Sequence, residues 1–403
     1  MLNVLTPEEV YRVIENSFDV AAKEEAVALS EVCDRILTSP VTAGGDEPPF
    51  NRSTVDGYAV KARDTFGASE SLPAILELAG EIRMGELSSS SLPPDSCIRI
   101  PTGGSVPEGA DCVVMQEYTE DYEDGTIGVT KPAAPGENMV FKGDDVRKGD
   151  VVLPAGRLIS PKDVGTLASL GVTQVLVRKP IRAGIFSTGD ELVPEYETPG
   201  PGQIRDINSR MLAAVCGERG CEVTTYGIIP DDLDLLKSAL QKALAECDII
   251  IISGGSSVGE KDNSVKAISS FGEILFHGIA MKPGKPTLLG KVLGKPVFGL
   301  PGHPQAAFFT AKLYVCAAID RLLGQTRRDV RVPAAIAHAV SANDGRALFM
   351  PVTLKQEGKS LTALPLHSKS GLVSGLARAD GFISIPRNCE GIRAGETVMV
   401  TLF

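Results

Sequence analysis

The sequence predicts a multidomain α/β plus β protein: a doubly wound α/β domain, a helical linker domain, an inserted β domain and a small carboxyl-terminal β barrel. Three observations carry this reading. In DIIIISGGSSVGEKD (residues 248–262), Ile249 to Ser253 is too short a run for a buried helix and reads as a strand covered on both faces. From Ile181 to Leu323, strand-like and helix-like segments alternate, as in a parallel sheet wrapped by helices. On either side, between about 50 and 142 and from Val332 to Phe403, short β-like runs are broken by glycine and proline turns.

Bulk properties narrow the function. At 403 residues the chain is long enough for several cores. An apolar fraction of 43% and a charged fraction of 23% are those of a water-soluble globular protein, and no run approaches the ~18 apolar residues of a membrane span. The start, MLNVLTPEEVYRVIE, lacks the basic-then-apolar layout of a signal peptide, so a cytoplasmic location is expected. Eight cysteines without CxxC spacing read as reduced packing residues, and four scattered histidines argue against a histidine-rich metal site. A net charge of −11 and the lack of a basic run exclude nucleic acid as the main partner.

Taken in order, Thr6, Pro7, Glu8 and Glu9 start a helix whose apolar stripe is Val10, Val13 and Ile14. A second helix is expected over Lys23 to Leu29. Prolines and glycines from Pro40 to Pro49 then mark a linker. The β region that follows has runs at Tyr58 to Val60, Ala74 to Leu78, Ser96 to Ile100, Cys112 to Gln116 and Thr126 to Thr130. Within it, Asp56-Gly57 is a turn signal and Thr102-Gly103-Gly104 a loop able to offer backbone N–H groups to an oxyanion; both patterns also serve simply to turn the chain. Ser160 caps a helix expected from Pro161 to Leu170; the β region would then be an insertion into a helical linker, a topology that periodicity alone does not fix.

In the α/β domain, helices are expected at Ser209 to Arg219, Leu233 to Ala245, Ser264 to Ser270 and Gln305 to Leu323. Ligands of such a sheet bind beyond the carboxyl ends of its strands, where four loops converge: 187–191, 227–232, 253–262 and 301–304. Gly254 and Gly255 let the backbone turn sharply and approach a ligand, and Ser256, Ser257 and Ser264 can donate hydrogen bonds or cap the next helix, as in an anion cradle, although most such turns only connect a strand to a helix. The carboxylates Asp190, Glu191, Asp231, Asp232 and Asp262 would repel one another without a divalent cation, although Asp190 and Asp232 also fit a solvated rim. Lys282 and Lys285 are held by prolines in KPGKP, which lowers the entropic cost of aiming both at phosphate; two ordinary surface lysines would read the same way. Arg346 and the serine-rich HSKSGLVSG could reach a ligand, although solvated surface is the simpler account.

Together DGYAV, PTGGSVPEGADCVV, STGDEL, SGGSSVGEKD, MKPGKP and LPGHP, in this order, resemble the molybdopterin molybdenumtransferase family, known as MoeA and related to the carboxyl-terminal part of gephyrin. The resemblance covers nearly the whole chain. It implies four parts: a helical linker domain (1–45 and 143–178), an inserted β domain (46–142), a molybdopterin-binding α/β domain (179–327) and a carboxyl-terminal β domain (328–403). It also implies an Mg²⁺-dependent transferase that inserts molybdate into adenylated molybdopterin and releases AMP. Glu191, Asp231 and Asp262 would hold the metal and serve catalysis, and Asp56 and Thr102 would complete the site from the partner of a cytoplasmic homodimer. Asp145 matches a further acidic position. Gly254, Gly255, Ser256, Lys282, Lys285, Pro301, Gly302 and His303 would bind the cofactor. Further implied partners are the molybdopterin adenylyltransferase and molybdenum enzymes or their chaperones.

Three positions depart from the family pattern: Gly278 and Met350 stand where lysine and arginine are usual, and His303 where asparagine is usual. These changes leave room for a tungstate-handling paralogue or for a catalytically weak binding or scaffold protein.

Overall fold

The computed structural model describes residues 4–20, 23–88, 91–254, 263–325, 329–342, 345–358, 360–367, 371 and 373–403. They form two compact units. One comprises Val27–Cys33 and Leu37–Val175; the other comprises Met1–Ala26, Asp34–Ile36 and Leu176–Phe403.

Helix α1 (Pro7–Ser17) starts as its sequence requires. Thr6 Oγ1 accepts the Glu9 N–H at 3.3 Å and the Glu9 carboxylate accepts the Thr6 N–H at 2.7 Å, a reciprocal cap that leaves Val10 and Ile14 buried. The helix expected over Lys23 to Leu29 is instead a strand, Glu24–Ala28, paired with Gln174–Arg178. Seven residues without a cap cannot offset the cost of helix nucleation, whereas pairing satisfies the backbone at once, with Lys179 N–H on Lys23 O at 2.6 Å and Leu29 N–H on Thr173 O at 2.9 Å.

The first unit is built on a six-stranded sheet in the order Cys112–Met115, Gly57–Val60, Ser96–Ile100, Ala74–Glu81, Thr126–Val129, Thr119–Asp121. Its core holds Tyr58, Val60, Leu76, Cys97, Val114 and Ile127. Gly57 is required there: a Cβ would lie 1.9 Å from the Val114 carbonyl oxygen. Helix α2 (Pro161–Ser169) is capped by Ser160, whose N–H and Oγ both donate to Asp163 Oδ2, at 2.9 and 2.7 Å.

The second unit carries the α/β sheet: β1 (Arg182–Thr188), β2 (Glu222–Ile229), β3 (Ile249–Ser253), β4 (Glu273–His277), β5 (Leu288–Val292) and β6 (Lys295–Leu300), in the order β2-β1-β3-β6-β5-β4. Strands β2, β1, β3 and β6 run parallel. Strand β5, which the sequence pattern does not reveal, lies antiparallel to β6, and β4 antiparallel to β5. Every residue of β3 is buried, as a strand covered on both faces must be. The covering helices are α3 (Asn208–Gly217), α4 (Leu233–Glu246), α5 (Asn263–Phe271), α6 (Pro304–Thr310) and α7 (Cys316–Leu323). Between α6 and α7, Ala311–Val315 widens into a π-helical turn inside what the sequence reads as one long helix. Chain order places β2 and β3 on opposite sides of β1, the switch point outside which such sheets bind ligands.

The last segment closes a five-stranded barrel from Arg331–Ile336, Ala347–Glu357, Ser360–Pro365, Gly381–Ile385 and Thr397–Leu402. Val352, Ala363 and Val400 fill its core. Among the described residues no helix is long and apolar enough to cross a membrane.

Candidate active site

Two cavities open in the second unit, one at the carboxyl ends of the parallel strands and one between the loop 281–286 and the carboxyl-terminal barrel. The first, of about 810 Å³, lies against Ser187 and Thr188 of β1, Ser253 at the end of β3 and Gly254 after it, Gly302 and His303 after β6, and the segment 203–208 that leads into α3. Gly254 makes this floor possible: its φ is +98°, and a Cβ there would stand 2.3 Å from the Thr188 carbonyl oxygen. Its N–H donates to Leu300 O at 3.1 Å. Gly255, Ser256, Ser257 and Asp262, the rest of the expected cradle and its carboxylate, lie outside the described residues.

Glu191 and Asp231 line this cavity and make one wall acidic. Partial desolvation, then the charges of Asp190 and Glu191, push the Asp231 carboxyl above the usual range. Asp190 Oδ1 accepts the Asp231 N–H at 3.1 Å. Asp232 serves the helix instead, where its Oδ1 accepts the N–H groups of Asp234 and Leu235, both at 2.9 Å, and so caps α4.

The second cavity, of about 800 Å³, is walled by Met281 to Pro286, Pro301, Arg346, Met350 and His367 among others, and no carboxylate among the described residues lines it. Lys282 and Lys285 therefore face one space, and Arg346, read from sequence as surface, joins them. His303 is the single described residue lining both cavities. Met350 lies in the basic wall, whereas Gly278 does not. Gly278 has φ +113°, and a Cβ there would meet Val4 Cγ2 at 3.1 Å, so this backbone selects glycine.

In the first unit, Asp56 Oδ1 accepts the Thr102 N–H at 2.6 Å. Thr102, through this bond and then its hydroxyl, holds the Asp56 carboxyl below the usual range. Gly103 follows with φ +82°, its N–H on Ser53 O at 2.8 Å. Asp145 is exposed in the same unit, its N–H on Glu47 O at 3.1 Å.

Comparison with known proteins decides the family. Residues 5–171 match the MoeA N-terminal region (domain I and II), residues 184–321 the probable molybdopterin binding domain, and residues 333–403 the MoeA C-terminal region (domain IV). A molybdopterin biosynthesis protein of Methanocaldococcus jannaschii is 36% identical over 98% of this chain and 96% of its own. The chain belongs to the MoeA family. The molybdopterin molybdenumtransferase of Bacillus subtilis is 34% identical over 96% of this chain and 91% of its own length. The crystal structure of a MoeA protein from Pyrococcus horikoshii covers all of both chains with a TM-score of 0.88 at 34% identity.

The Mg²⁺ that MoeA resemblance implies fits the donors present. Glu191 and Asp231 offer hard oxygen donors on one wall, and a cation there would offset both the desolvation that chiefly raises the Asp231 carboxyl and the repulsion from Asp190 and Glu191 that adds to it. Among the described residues no three His, Cys, Asp or Glu groups converge on a closed metal cage. Two carboxylates suit Mg²⁺, which commonly keeps waters and takes its remaining ligands from substrate phosphate. Sequence reasoning missed Asp206 and Asn208, both buried against the strand ends. The only signal was polar residues at the start of an otherwise apolar helix.

Proposed function

We infer that this chain is a transferase of molybdenum cofactor biosynthesis that inserts molybdate into adenylated molybdopterin and releases AMP. The observation that carries the reading is the pair of cavities of opposite lining, acidic at Glu191 and Asp231, basic at Lys282, Lys285 and Arg346, meeting at His303. A substrate bearing a phosphoanhydride and an oxyanion needs both characters side by side. The name of the Bacillus subtilis relative and the match to a molybdopterin binding domain support the same chemistry.

In this reading Glu191 and Asp231, with Asp262, hold Mg²⁺, which when bound neutralises charge developing on the phosphate. Gly254, where a side chain would strike the Thr188 carbonyl, lets the ends of β1 and β3 close together into the cavity floor on which the substrate rests. Lys282 and Lys285, both exposed to solvent, bind the oxyanion as paired cations on a loop stiffened by prolines. Asp56 and Thr102 act from a second copy in a cytoplasmic homodimer. The adenylyltransferase that makes the substrate and the enzymes that receive the product are the expected partners. We divide the chain functionally at 45, 142, 178 and 327.

Incubating the purified protein with adenylated molybdopterin, Mg²⁺ and either molybdate or tungstate, and following AMP release, tests the reading. Release that depends on Mg²⁺ and oxyanion supports it. Tight binding without release would instead make the chain a carrier of the cofactor, and release with tungstate alone would make it a tungstate-handling paralogue.

A further inference from the structure

We propose that the Asp206–Asn208 segment, which leads into α3, is the positioning element of the strand-end cavity, holding the carboxyl ends of β1, β3 and β6 at the spacing its phosphate-bearing ligand requires. The ligand's identity rests on the transferase reading; the geometry does not. Ser187 Oγ, at the end of β1, donates to Asp206 Oδ1 at 2.9 Å, and the same oxygen accepts the Ser209 N–H at 3.1 Å. Asn208 Nδ2 donates to Ser253 Oγ at the end of β3, at 2.9 Å, and to Gly302 O just beyond β6, at 2.8 Å. One segment thus ties three adjacent strands of the sheet.

These ties are shielded from water. Asp206 and Asn208 are 5% and 7% exposed, and Ser187 and Ser253 are each 1% exposed. Both hydrogens of the Asn208 amide are committed, so the group cannot rotate, and its Oδ1 has no hydrogen-bond partner among the described residues. The neighbouring Thr188 Oγ1 is likewise unpaired among them. Two buried polar atoms left unpaired at a cavity wall are costly to a fold, and a tie serving stability alone has no use for them. Asparagine is needed because a carboxylate could donate to neither Ser253 Oγ nor Gly302 O.

Ser187, Asp206, Asn208, Ser253 and Gly302 all line the strand-end cavity, and none lines the basic one. A positioning role therefore predicts damage confined to one ligand. The test uses Asn208→Asp, which keeps size and removes both donors, and Ser187→Ala, which releases only β1. Calorimetry with AMP plus Mg²⁺ probes the strand-end cavity, calorimetry with molybdate probes the basic one, and steady-state kinetics separate KM from kcat. For Asn208→Asp, the Kd for AMP and the KM for adenylated molybdopterin should rise on the order of tenfold, with molybdate affinity within about twofold of wild type and kcat less affected than KM. Ser187→Ala should move AMP binding the same way by about threefold, and decides the matter if Asn208→Asp does not fold.

AMP binding at wild-type strength in a folded variant overturns the proposal, and so does an equal loss of AMP and molybdate, which would mark the segment as generally structural. A wild type that binds AMP but releases none from the adenylated substrate overturns the transferase reading and leaves the variant comparison intact. A wild type that binds no AMP overturns both.

Discussion

The Asp56 carboxylate accepts the backbone N–H of Thr102 at 2.6 Å, locking the DGYAV turn to the PTGG loop within one unit. Thr102 keeps that carboxyl ionised to lower pH than usual. Asp56→Asn retains an acceptor for the N–H but loses the charge, so melting should stay close to wild type. If Asp56 touches substrate, AMP release should fall on the order of a hundredfold. Mixing Asp56→Ala with Glu191→Ala protein should restore part of the activity, because some dimers would hold one intact site; a fully active monomer in sedimentation would refute the shared site.

Asp231 gives the opposite pH signature. Its folded-state pKa is raised, so its contribution to stability is fully present below the unfolded value and is lost as pH rises through the folded one. Asp231→Asn should therefore melt at or slightly above wild type near neutral pH without Mg²⁺, and the gain should vanish in acid. The side chain is largely exposed, so solvent screening keeps the gain to about a degree or two. Added Mg²⁺ should stabilise wild type more than the variant, and AMP release should drop on the order of a hundredfold. Equal stabilisation by Mg²⁺ in both proteins would remove Asp231 from the metal site.

Asp163 is the contrasting buried acid. Burial alone would raise its carboxyl, but Arg157, at 2.7 Å, and the Ser160 N–H and hydroxyl hold it down at about 2. A depressed pKa stabilises above the unfolded value and is lost as pH falls through the folded one. The first unit should hence lose about 2 kcal/mol between roughly pH 5 and pH 2 from this group. Asp163→Asn should cost a similar amount at pH 7 and flatten that part of the acid transition, as read by urea unfolding across pH.

The two positions with missing cations should behave differently. Met350 lines the basic cavity, so Met350→Arg should tighten molybdate on the order of three- to tenfold, falling with salt. Gly278→Lys should instead destabilise, since φ +113° and the approach of Val4 exclude a side chain, and should leave molybdate affinity unimproved. Tighter molybdate binding in a stable Gly278→Lys protein would refute this assignment.

Elements fixed by local chemistry were legible in the sequence. Thr6 with Glu9 and Ser160 with Asp163 are caps written in four consecutive residues, and the strand Ile249 to Ser253 is buried on both faces because four successive isoleucines leave it no polar face. KPGKP announced two lysines on a stiff loop, and the carboxylates Asp190, Glu191 and Asp231 announced an acidic cluster among the loops that follow the strands. Other features belong to distance, which periodicity does not encode. Whether Glu24–Ala28 became helix or strand was decided by Gln174–Arg178, some 150 residues on, because only tertiary pairing could satisfy so short a segment. Strand β5 was hidden because its LLGKV carries too weak an alternation to stand out beside the stronger β6. Arg346 and Lys285 share a wall, Asn208 reaches Ser253 and Gly302, and His303 joins two cavities only because the fold gathers the ends of β1, β3 and β6. Sequence supplied the charges and the turns; which groups face one another is set by sheet order and strand register, which the packed core determines.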